Sequence, residues 1–203
     1  MNFKLISFSI LFSIILTGCQ SMPPANFSVP NVGLSQKKID AEMKSLTVTV
    51  ARPDEKKGRL DFEMVTMDMN GGGGALGGQV VPQLWSTALT EALNSMAIFQ
   101  DDSAKKVNLS VKVLKLEVPR GGISFTTDAV AKYEIMDRKT GDLIFSQEIA
   151  SSGTTPADFA FMGIARMRES INRAVQNNIT QFLQALETVD PTKPMFPAKT
   201  GKK

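Results

Sequence analysis

The sequence predicts an α+β fold: a two-layer sandwich, a mostly antiparallel sheet with two amphipathic helices on one face. Two observations carry that expectation. Between Val107 and Ile149, apolar and polar residues alternate in successive runs, the period of half-buried strands. Before and after those runs, around residues 82–96 and 155–186, apolar residues recur at three- and four-residue steps, the period of a helix with one buried stripe.

The elements follow in order. Leu46-Thr47-Val48-Thr49-Val50 alternates and reads as the first strand. Arg52 to Gly58 is charged, carries a proline and ends in glycine, so it reads as an exposed turn. Leu60, Phe62 and Met64 alternate again, and Val65, Met67 and Met69 continue in the opposite phase, which predicts a bulged strand or two short ones. Asn70 to Gly78 is rich in glycine. A glycine loop ahead of a helix invites a phosphate cradle. Here no Gly-Lys-Ser/Thr closes the loop and no dinucleotide fingerprint is present, so it reads as a surface loop. Pro82 suits a first helical turn. Val81, Leu84, Trp85, Ala88, Leu89, Ala92, Leu93 and Met96 then form the stripe of a helix over 82–96, with Trp85 as a core anchor.

Val107, Leu109, Val111 and Val113 alternate, and Leu114, Leu116 and Val118 take the other phase. Pro119 to Gly122 is a turn. Ile123, Phe125, Thr127, Ala129, Ala131, Tyr133 and Ile135 share one face of a long strand. Asp137 to Asp142 closes a hairpin in which Gly141 supplies a positive φ. Leu143, Phe145, Gln147 and Ile149 mark the returning strand. Thr155-Pro156-Ala157-Asp158 reads as the start of the last helix, with Thr155 as N-cap and Asp158 near its positive end. A stripe from Ile164 to Leu186 continues it, Glu169 and Arg173 form an i,i+4 pair, and Asp190-Pro191 ends it. One α+β domain is therefore expected over residues 45–187. Residues 19–44, interrupted by Pro23, Pro24, Pro30 and Gly33, read as a flexible tether with a reach of about 25–30 Å. Residues 188–203 read as a disordered basic tail.

The amino-terminal stretch has a different plan. Lys4 stands beside the terminus, an apolar run follows from Leu5 to Leu16, and small Thr17 and Gly18 precede Cys19. This is the plan of a secretory signal. The run is about 12 residues, short of the roughly 20 that span a bilayer core. Leu16-Thr17-Gly18-Cys19 resembles the lipobox of bacterial lipoproteins. The resemblance implies a signal peptide over residues 1–18, cleavage between Gly18 and Cys19, a diacylglyceryl thioether on Cys19, and N-acylation (palmitate) of the new terminus. Two or three chains hold a protein stably at a membrane. Gln20, not aspartate, follows the cysteine, and by the family sorting rule this implies the outer membrane, on its periplasmic face.

The residue inventory restricts chemistry. The chain has no histidine, and its only cysteine is Cys19. This excludes imidazole acid–base catalysis, histidine triads, histidine metal sites and an internal disulfide. Carboxylates fall in turns (Asp54, Glu55, Asp101, Asp102, Asp137, Asp142), on outer helix faces (Glu91, Glu169) or, as Asp128, on a solvated strand face. The eleven methionines raise copper or an adaptable groove, but Met64 does not share a face with Met67 and Met69, and core filling is the better reading. A net charge of +3, with no cluster of basic and aromatic residues, argues against nucleic acid. The chain is expected to be no enzyme, with no catalytic residues, metal or cofactor.

The plan of lipobox, tether and β-α-β-β-β-α domain, with Trp85 in the first helix, resembles small envelope lipoproteins of the YajG type and auxiliary lipoproteins of envelope transport systems. The resemblance covers residues 45–187. It implies a protein-binding or assembly role and carries over no functional residues. Two expectations follow. One is a structural or accessory interaction module of an envelope complex, meeting its protein partner at the glycine loop or an open sheet edge. The alternative is a carrier for a lipid or other apolar ligand, which requires a sizeable apolar pocket between sheet and helices. Cys19→Ala is expected to keep residues 1–18 and gain no acyl mass, and to leave the outer-membrane fraction. Intact-mass measurement and envelope fractionation check this.

Overall fold

The computed structural model describes residues 25–65, 77–193 and 195. The expectations for Cys19, for Met67 and Met69, for the glycine run up to Leu76, and for the end of the basic tail lie outside these residues. The chain order is strand β1 (Glu42–Val50), helix α1 (Gly77–Met96), strands β2 (Lys106–Glu117), β3 (Phe125–Asp137) and β4 (Leu143–Thr155), and helix α2 (Gly163–Leu186). The strands form one open sheet in the order β1-β2-β3-β4. β1 runs parallel to β2, and the other pairs are antiparallel. The parallel pair needs a crossover, and α1 lies in it. This is the expected α+β fold.

The apolar pairs Val113-Leu114 and Ile144-Phe145 sit at bulges. Val113 pairs with Ala131 and Lys115 with Val130, so Leu114 has no partner and both Val113 and Leu114 are buried. Ile135 pairs with Phe145 and Met136 with Leu143, so Ile144 is the extra residue, and Ile144 and Phe145 are both buried. A bulge lets one strand turn two successive side chains inward. Gly141 has φ 76° in the β3–β4 hairpin, as expected.

The inner sheet face meets both helices at Tyr133. Trp85 Nε1 of α1 donates to the Tyr133 hydroxyl at 3.2 Å, and that hydroxyl donates to Asn178 Oδ1 of α2 at 2.9 Å. The Tyr133 ring stacks on Phe182, with centroids 4.2 Å apart. α2 comes closest to the sheet over Gly153. A methyl group there would lie 2.2 Å from Ala174 N and 2.4 Å from Ser170 O. Ser151 Oγ donates to Ala174 O at 2.8 Å beside that contact.

Several expectations are corrected. Leu60 makes a single bridge to Leu116, and Phe62–Met64 is a turn of 3-10 helix, not a strand. The buried Asp61 carboxylate accepts from Val118 N and from Arg59, and the tighter turn puts Phe62 and Val65, three apart, on one buried side. Thr155 is not an N-cap. It is the buried last residue of β4, paired with Phe125, and α2 begins after Met162. Strand pairing outcompetes the local capping signal. Ile123 lies before β3 and is exposed.

The largest correction concerns residues expected to be a tether. Residues 25–41 lie on the domain. Phe27 is 1% exposed and meets Trp85 edge-on, with centroids 6.3 Å apart. Asn26 N donates to Asn172 Oδ1 at 2.9 Å, and Ser28 Oγ to Glu91 Oε2 at 2.8 Å. The segment thus bridges the two helices. Ile39 N donates to Ile98 O at 2.8 Å, and Ile39 and Ala41 are buried. The prolines hid a packed strap because Phe27 and Ile39 show no period. The first residues of the expected loose tail are also held. Val189 is buried, Lys37 Nζ donates to Val189 O, and Met195 N donates to Leu143 O.

Gly153→Ala is expected to destabilise the fold by about 3 kcal/mol, because backbone rather than a flexible side chain blocks the added methyl. Denaturant unfolding checks this.

Candidate functional site

The two faces of the domain differ in charge. The outer sheet face holds ion pairs: Lys132 with Glu134 at 2.6 Å, Lys115 with Asp128 at 3.3 Å, and Lys57 with Glu148 at 3.6 Å. The helix face is the opposite. Across residues 25–36, 77–96 and 174–186 the only charged residue is Glu91, in a chain that is 21% charged. Glu91 is itself engaged by Ser28.

What the helix face presents is amide and hydroxyl. α2 buries Val175, Asn178, Ile179, Phe182, Leu183 and Leu186, which leaves Asn177, Gln181 and Gln184 exposed on one row, with Gln176 and Thr180 half-buried beside them. Two clefts flank this row. One, of about 660 Å³, runs along β4 and includes Ser152, Asn177, Gln181 and Gln184, with the Lys115–Asp128 pair on its far wall. The other, of about 330 Å³, lies against the strap and is more apolar, lined by Val29, Val32, Met96 and Leu183. Leu34 is exposed on the same strap.

Of the two sheet edges, that of β4 is engaged by α2 near the strand's carboxy-terminal end. Asn177 Nδ2 donates to Ser152 O at 2.8 Å, and an Arg173 guanidinium N–H donates to Thr154 O at 2.8 Å. Those carbonyls are not offered to an added strand. The Glu169–Arg173 pair forms as expected, at 2.7 Å.

The arrangement has hydrogen-bonding capacity and little acid–base capacity. In the larger cleft the titratable groups are Lys115 and Asp128, bound to each other. The hydrogen bonds that Lys115 donates to Glu117 and Asp128 push it above its ordinary value, away from use as a base. Burial pushes the Tyr133 phenol far up, and it is committed to Trp85 and Asn178. The one buried carboxylate among the described residues, Asp61, is held by Arg59 at 3.0 Å. No group of three potential metal ligands occurs among the described residues, and none of their helices is long and apolar enough to cross a membrane. Trp85 is fully buried, as the sequence suggests for a core anchor. The amide row was not singled out from sequence. Its signal was the absence of Lys and Glu on a surface helix stripe, which apolar periodicity does not report.

No family model and no curated protein matches the chain. Solved structures do resemble it. Protein XCC0632 from Xanthomonas campestris, of the DUF330 family, superposes with TM-score 0.52 at 10% identity, over 80% of this chain and 92% of that one. A Caulobacter crescentus protein assigned as a lipoprotein gives TM-score 0.37 at 18% identity, over 73% and 88%. The hypothetical protein CT253 of Chlamydia trachomatis gives 0.44 at 9%, over 74% and 96%. The first likeness is one of fold.

Surface carboxylates held by hydrogen bonds set the pH response. A hydrogen bond from Lys106 holds Glu42 below its ordinary value, one from Lys112 does the same for Glu55, and the Arg59 backbone N–H does so for Glu117. The Thr192 hydroxyl lowers Asp190 to about 2. Each binds its proton more weakly folded than unfolded. Its stabilisation is therefore whole above the ordinary carboxylate value and is lost as pH falls through the folded one. With no histidine, the midpoint of thermal unfolding is expected to stay level between about pH 5.5 and 8 and to fall below about pH 4. Melting curves across that range check this.

Proposed function

We propose that the chain is a lipoprotein of the bacterial envelope, anchored through Cys19 at the periplasmic face of the outer membrane, and that its helix face docks a protein of an envelope complex. It acts by binding and not by catalysis. The observation that carries the binding reading is the charge-depleted helix face, with one charged residue, Glu91, across residues 25–36, 77–96 and 174–186. Cores of protein interfaces are depleted in charge, while their rims are not. A free surface helix normally keeps charges on its outer side. The exposed amides of Asn177, Gln181 and Gln184 give directional hydrogen bonds, and the flanking clefts give shape. Leu16-Thr17-Gly18-Cys19 and Gln20 support the anchor and its membrane.

The carrier reading needs room between the layers. That space is filled by Trp85, Tyr133, Ile171, Ile179 and Phe182, all without exposure. The clefts described above open on the outside of α2. A filled core favours the module.

The test is crosslinking and capture of the lipidated protein from intact envelopes. A defined envelope protein is expected with the unaltered chain and with Lys132→Gln on the sheet face. It is expected to be lost with Gln181→Lys combined with Gln184→Lys, whose surface positions leave the fold intact by circular dichroism. Capture unchanged by that pair overturns the proposed face. Co-purifying lipid without protein replaces the module by the carrier.

A further inference from the structure

Large apolar side chains are exposed at one end of the domain. Phe161 is 97% exposed, Ile123 77% and Phe159 43%. Phe159 and Phe161 lie in the loop between β4 and α2, and Ile123 in the turn between β2 and β3. The two meet at the same end, because Phe125 pairs with Thr155 and its ring lies 3.8 Å from where a Gly163 side chain would begin.

The aromatic loop is held open, not left loose. An Arg166 guanidinium N–H group donates to Ala160 O at 2.5 Å and to Phe161 O at 2.9 Å. The Arg173 guanidinium lies over the Phe159 ring, 5.3 Å from its centroid. Phe161 is thus presented outward by a fixed backbone. Exposed Arg120 stands on the neighbouring turn.

The strap shows where the amino terminus comes from. Asn26 is bonded to Asn172 and Gln176, Ser35 to Glu187, and Lys37 to Glu187 O. The strap therefore runs parallel to α2, and the chain enters it from the α2 amino-terminal side, the end that carries Phe161. Asn172 lies nine residues beyond Gly163, about 14 Å along a helix. The residues from Cys19 to Pro24 reach at most about 20 Å. The chain leaves the strap toward that end, and a terminus acylated at Cys19 lies within reach of it.

We propose that this end is a second membrane contact: Phe161 and Ile123 enter the interfacial layer of the bilayer that holds the anchor, with Arg120 and the Arg166 region facing anionic headgroups. The inference rests on the lipoprotein reading above. Aromatic rings suit the interfacial layer, and arginines are attracted to anionic lipid. Contact there stands α2 roughly upright and turns the amide row sideways, clear of the bilayer.

The lipidated protein carrying Phe161→Cys, Ile123→Cys or, as a control at the opposite end, Lys139→Cys is labelled with an environment-sensitive fluorophore. It is reconstituted into phosphatidylethanolamine vesicles with a minority of phosphatidylglycerol and headgroup-proximal nitroxide lipid. Labels at 161 and 123 are expected to shift to the blue and to be quenched several-fold more than the label at 139. Acylation of Cys19 is read separately by intact mass. An acylated chain whose labels at 161 and 139 are quenched alike overturns the membrane contact and leaves the anchor standing. A chain without acyl mass overturns the anchor, and the contact with it.

Discussion

The Tyr133 hydroxyl is the point on which the layers depend. It accepts from Trp85 in α1 and donates to Asn178 in α2, while the Asn178 amide donates to Ile149 O and Ser151 Oγ in β4. Every member is buried or nearly so, and an unpaired polar group there would cost about 1–3 kcal/mol. The relay has one geometry that satisfies all its members. It therefore sets how far each helix stands from the sheet, and with it the close approach over Gly153. Small residues at Ala129, Ala131 and Gly153 make that approach possible.

With the helices placed on the sheet by these contacts, a groove remains between them, and the strap of residues 25–41 occupies it. Phe27 against Trp85 and Asn26 against Asn172 and Gln176 make the strap part of the core. Two consequences follow. The surface of the helix layer is built jointly from α1, the carboxy-terminal half of α2 and the strap, and across residues 25–36, 77–96 and 174–186 its single charge is Glu91. The link between Cys19 and the folded body also shrinks to a few residues. A domain on a long tether samples all orientations at a membrane, whereas one on a short link is held by whichever end the link reaches.

The charge distribution then has a physical interpretation. The outer sheet face keeps its Lys, Glu and Asp in ion pairs with water beside them, each worth little to stability. The helix face has given up charge along stripes where charge costs nothing in a free helix. Neutral amides lose less on desolvation than ammonium or carboxylate groups do. Such a face suits a surface that is covered in use.

The sequence by itself determined the periodic elements. Alternation located β2, β3 and β4, and helical stripes located α2 and α1 from Pro82 onward, because strand and helix periods are written into which side chains must leave water. Trp85 as a core anchor and the Glu169–Arg173 pair were legible for the same local reason. Tertiary structure alone decided the rest. It made Leu60–Met64 a turn closed by Asp61, and it made Thr155 a strand residue. It packed the strap through Phe27 and Ile39, and it set the amide row beside two clefts. Each of these depends on a partner far along the chain: Val118 for Asp61, Phe125 for Thr155, Trp85 for Phe27, Ser152 for Asn177. Local sequence sets the conformations open to a segment, and contact across the fold selects among them, since the burial that pays for order is shared between distant residues.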